Sequence, residues 1–121
     1  MSIYCNITLR WGATPDQLTA LGTALWRWCT RSAGDAGIYQ YLDNQALADL
    51  IAGRLPVIDQ TTRPAERRGV HFRVRDGAFP DRRAAIDSLR REIPTEGVED
   101  AVVGGVSWSA VASHDPAGPT V

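Results

Sequence analysis

Residues 3–31 read Ile3-Tyr-Cys-Asn-Ile-Thr-Leu-Arg-Trp-Gly-Ala-Thr-Pro-Asp-Gln-Leu-Thr-Ala-Leu-Gly-Thr-Ala-Leu-Trp-Arg-Trp-Cys-Thr-Arg31. Two periods meet in this stretch. Up to Trp11 the apolar residues recur at every second position: Ile3, Cys5, Ile7, Leu9 and Trp11 share one side, and Tyr4, Asn6, Thr8 and Arg10 the other. That alternation predicts a strand with one buried face. After Gly12 and Ala13 a helix start is written out. Thr14 can cap, Pro15 suits the first helical position, and Gln17 completes a capping box with Thr14. Leu18, Leu21, Leu25, Trp28 and Cys29 then fall on one helical stripe, with Thr19, Thr23, Arg27 and Thr30 opposite. A half-buried strand running into an amphipathic helix is the opening of a layered α/β domain.

The rest of the chain continues the alternation of elements. Ile38-Tyr-Gln-Tyr-Leu42 predicts a short strand. Asp43 can cap a helix ending at Gly53, with Ala46, Leu47, Leu50 and Ile51 as its apolar face. Residues 59–68 have no period and read as an exposed loop. From Gly69 to Arg75, Val70, Phe72 and Val74 alternate with His71, Arg73 and Arg75. Pro80 opens a third helix that buries Ala85, Ile86, Leu89 and Ile93 and exposes Arg82, Arg83, Asp87, Arg90 and Arg91. Val98 to Val111 is a last extended segment, in which Gly104-Gly105 marks a bulge, a bend or a hairpin.

This order predicts an α+β fold of the ferredoxin-like βαββαβ type. Four mostly antiparallel strands would form the sheet, with two main helices on one face and an extra short helix near residues 43–53. A small doubly wound parallel sheet is the alternative; the polar faces of the first and third strands argue against it. One domain over 1–112 is expected, followed by a flexible tail over 113–121.

Composition narrows the function classes. The chain has 121 residues, 44% hydrophobic and 22% charged, with a formal net charge of -1. No global field draws it to nucleic acid or an anionic membrane. All 13 basic residues are arginine, as a GC-rich coding sequence would produce. No apolar run approaches the ~20 residues that span a bilayer, and the first residues lack the pattern of a signal peptide. A cytoplasmic protein is expected, with Cys5 and Cys29 as buried free thiols. His71 and His114 have no second ligand at metal spacing, and no phosphate loop, dinucleotide fingerprint or nucleophile elbow occurs. Neither a metal nor a cofactor is expected, and no catalytic residue is assigned.

The candidate binding residues lie on the polar strand faces: Tyr4, Asn6 and Arg10 from the first strand, Tyr41 from the second, and His71, Arg73 and Arg75 from the third. Such a surface could hold an anionic small molecule, a single strand of nucleic acid or a second copy of the chain. Arg68-Gly-Val-His-Phe-Arg-Val-Arg75 resembles the opening of the signature strand of the RNA-recognition motif, with Val70 and Arg75 where that motif carries aromatics. The resemblance, confined to one strand, implies nucleic acid on the exposed face.

Paired arginines at 82, 83, 90 and 91 read as a solvated face answered by Asp81, Asp87 and Glu92. Trp26 and Trp28 are read at the two edges of the helix stripe. Trp26, Val106 and Trp108 are the candidate interface residues, because Ala101 to Ala112 carries no charge that would discourage edge pairing. The expectation is a small binding or interaction protein, homodimeric, an accessory factor of a bacterium or mobile element. Its partners would be itself, another protein or a small anionic ligand. A small enzyme or ligand carrier with a pocket between sheet and helices is the first alternative, and single-strand nucleic-acid binding the second.

Overall fold

The computed structural model describes residues 3–34, 36–58 and 67–107. Along the chain run β1 (Ile3–Leu9), α1 (Pro15–Thr30), β2 (Ser32–Ala33), β3 (Ala36–Gly37), β4 (Tyr39–Leu42) and α2 (Asn44–Ile51). They are followed by β5 (Val57–Ile58), β6 (Arg67–Val74), α3 (Arg82–Glu92), β7 (Val98–Val103) and β8 (Val106–Ser107). The fold is α+β, with the longer strands in one antiparallel sheet and three helices. Across the sheet the order is β4-β6-β1-β7-β8, and β5 also pairs with β6. β2 and β3 form a separate small hairpin.

Each helix begins where local chemistry places it. The Thr14 hydroxyl accepts the Gln17 amide at 3.2 Å, and the Gln17 side chain accepts the Thr14 amide at 3.0 Å, so the capping box closes. Asp43 caps α2 through the Ala46 amide, and Asp81 caps α3 through the Ala84 amide.

The alternation of β1 and β6 divides the sheet into two faces. Cys5, Ile7, Leu9, Val70, Phe72 and Val74 are buried and join Leu18, Leu21, Leu25, Leu50, Ile86 and Leu89 of the helices in one core. Trp28 is 1% exposed. It meets Phe72 edge-on at 6.0 Å and stacks on Phe79 at 5.7 Å, and its indole N–H donates to the buried Ser88 hydroxyl at 3.0 Å. The helix stripe thus centres on Trp28, which the sequence puts at its edge. A side chain with a single polar atom can be wholly buried once that atom has a partner. α1 and α2 approach closely at Gly22, where a Cβ would stand 2.7 Å from that of Leu50.

Three expectations are corrected by the backbone, and a fourth, left open between a bulge, a bend and a hairpin, comes out as a hairpin. β1 ends at Leu9 and not Trp11. Arg10 N–H bonds to Gly97 O and Ala13 N–H to Arg10 O, so the chain turns there and Trp11 is 60% exposed. Arg67 and Arg68 are strand and not loop, because they pair with Ile58 and Val57. α3 starts at Arg82, after Pro80. The final extended segment folds back at Gly104-Gly105, where φ is +59° and +83°, bringing Val103 opposite Val106; paired positive φ angles are what a tight hairpin turn requires. Residues 59–66 of the expected loop, Trp108 and the 113–121 tail lie outside the described residues.

Candidate binding face

Strand register assembles the site. Tyr4 pairs with Arg73 and Asn6 with His71 across β1 and β6, and Tyr41 pairs with Arg73 across β4 and β6. Residues of one parity point to one side of a sheet. Tyr41, Arg73 and Tyr4 therefore form a row across three strands, with His71 and Asn6 beside it, on the face opposite the helices. Tyr4 is 53% and Tyr41 46% exposed.

The row is held by polar contacts. Arg73 donates from Nη1 to the Tyr4 hydroxyl at 2.9 Å, and its guanidinium carbon lies 5.2 Å from the Tyr4 ring centroid. Its Nε is buried with no hydrogen-bond partner. His71 Nδ1 lies 2.9 Å from Asn6 Oδ1, which accepts from the ring in the tautomer that carries the proton on Nδ1. The His71 ring sits 5.4 Å from that of Tyr41 at a tilt of 54°. The site offers π faces, a fixed guanidinium and a phenol rim, which suit recognition.

Five of the seven candidates are thus brought together: Tyr4, Asn6, Tyr41, His71 and Arg73. The other two are not. Arg75 is committed to the backbone and donates to Gly37 O at 3.1 Å and Tyr39 O at 3.2 Å. Arg10 lies beyond the end of β1 and is exposed there. Of the interface candidates, Trp26 is exposed on α1, away from the sheet, and Val106 lies in β8.

The α3 arginines divide. Arg83 pairs with Asp87 at 3.3 Å, as helical spacing predicts. Glu92 is engaged by Arg31 instead of by its own helix, and the guanidinium holds its carboxyl below the usual range. Arg82 donates to the Gly104 carbonyl at 2.7 Å. Sequence reasoning missed the Arg31–Glu92 and Arg82–Gly104 links and the Trp28–Ser88 bond. Ser88 was visible only as a polar residue interrupting an apolar helical stripe.

Neither cysteine supplies a nucleophile. Both are buried and free. Burial pushes the Cys29 thiol up to about 12 and the Cys5 thiol higher still, with Cys29 as a lesser cause; a reactive thiol needs the opposite setting. Among the described residues no group of three or more His, Cys, Asp or Glu side chains could hold a metal ion, and no helix is long and apolar enough to cross a membrane.

No family model, no curated protein and no solved structure matches the chain. The reading of the face rests on its own chemistry.

Proposed function

We propose that this chain is a small binding protein, not an enzyme, and that it works as a homodimer through the open face of its sheet. The observation that carries the reading is the Tyr41–Arg73–Tyr4 row: two half-exposed phenol rings flank a guanidinium on the face opposite the three described helices. Tyrosine and arginine are enriched among interface anchors, because a phenol ring and a planar guanidinium each bury a large flat area in one contact. The face also carries both signs, Arg73 on β6 and Asp100 opposite Thr8 on β7, so a two-fold copy can meet cation with anion. A chain of 121 residues has a limited core, and a shared interface adds to it. The strand–helix–strand units β1-α1-β4 and β6-α3-β7, interleaved in one antiparallel sheet, support reading the scaffold as a ferredoxin-like plait with added pieces. An accessory role in a bacterium or mobile element, inside the cytoplasm, fits a binding protein of this size.

Sedimentation velocity at micromolar concentration tests the proposal. The wild type is expected at twice the chain mass, and the Tyr4→Ser/Tyr41→Ser double variant as a folded monomer. A monomeric wild type, or a dimer that survives both substitutions, overturns it. A wild-type monomer retained on a single-stranded oligonucleotide column at low salt and released as salt rises would put nucleic acid in place of the second copy.

A further inference from the structure

Away from this face, three remote segments meet around a depression of about 500 Å³. Ile3 at the start of β1, Gly77, Phe79 and Pro80 before α3, and Gly104 of the β7–β8 turn contribute its walls; Asp81 and Arg82 contribute its charges. The volume lies in the range of small-molecule sites, ~300–1,000 Å³.

The walls are held in place before any ligand arrives. Phe79 stacks on Trp28, whose indole is tied to Ser88. The Arg82 guanidinium is anchored on Gly104 O. Residue 104 has to be glycine for this: a Cβ there would stand 2.5 Å from Arg82 Cδ, on a backbone with φ of +59°. The glycine thus lets the arginine stem lie against the turn. Preformed walls spare a ligand the cost of ordering them.

The geometry points to a binding site for a small monocarboxylic acid with an apolar body. Arg82 has a planar fork of five N–H donors, and the contact with Gly104 occupies one. A carboxylate matches that fork, while Ile3, Phe79 and Pro80 take the apolar part. The Asp81 carboxylate, turned to the α3 cap, stands at the same rim and repels a doubly charged anion such as phosphate more strongly than a single carboxylate, since the repulsion scales with charge.

Calorimetric titration of the full chain with phenylacetate tests the site, using Arg82→Gln as the variant and 2-phenylethanol as the uncharged counterpart. Saturable one-to-one binding is expected for the wild type, weakened roughly tenfold or more by Arg82→Gln and lost with the alcohol. In amide NMR spectra of the wild type, Gly77, Phe79 and Gly104 should shift with phenylacetate, which locates the site independently of the variant. No saturable binding, equal binding by Arg82→Gln or by the alcohol, or shifts confined to other residues overturns the proposal.

Discussion

Cys5 and Cys29 show how a residue's surroundings decide its chemistry. Both sit in the core between sheet and α1, where an ionised thiol would lose its hydration without gaining a counter-charge. Their folded-state pKa values therefore lie above the ordinary value near 9.0. A raised folded value means that the stabilisation is complete below the unfolded pKa and is lost as pH rises. For Cys29 the loss runs from about 9 to about 12. The urea midpoint of the wild type should fall between about pH 8 and about pH 11 more steeply than that of Cys5→Ala/Cys29→Ala. Equal slopes would mean that the thiols do not titrate with unfolding.

At the scale of elements, α1 owes its start to two reciprocal hydrogen bonds between Thr14 and Gln17. Thr14→Ala removes the acceptor for the Gln17 amide and should cost about 1 kcal/mol, within a range of roughly 0.5–2. A urea midpoint unchanged from wild type would show that the box contributes nothing. This helix was legible because cap, proline and stripe are all local signals. Elements shaped by distant partners were not. Arg67 and Arg68 carry no strand signal of their own and become strand by pairing with Val57 and Ile58. Trp11 keeps the alternating period on paper, yet the Arg10–Gly97 bond turns the chain before it. The binding face falls between these cases. Period-two alternation identified its members, but register decided that Tyr41 and Tyr4 share Arg73 and that Arg75 leaves the group. The Arg82 depression is built from segments far apart in sequence, so nothing local announced it.

For the whole molecule, the single core is the source of cohesion. Leu25 is 0% exposed among side chains from sheet and helices, so Leu25→Ala should destabilise the protein by roughly 2–5 kcal/mol, as truncation leaves a cavity that the surroundings only partly fill. A loss below about 1 kcal/mol in chemical denaturation would mean that the site collapses or that α1 is not central to the core. The Arg75 clamp has a consequence at this scale too. Arg75 N–H takes the Ile38 carbonyl on the inner side of the sheet. The Arg75 guanidinium takes the two carbonyls on either side of it, those of Gly37 and Tyr39. Fibril growth needs a free row of acceptors onto which strand after strand can add. Where the chain enters β4, an end strand of the sheet order, two carbonyls are already held from within the same chain, and the arginine sets a positive charge beside them, which hinders the addition of a further strand there.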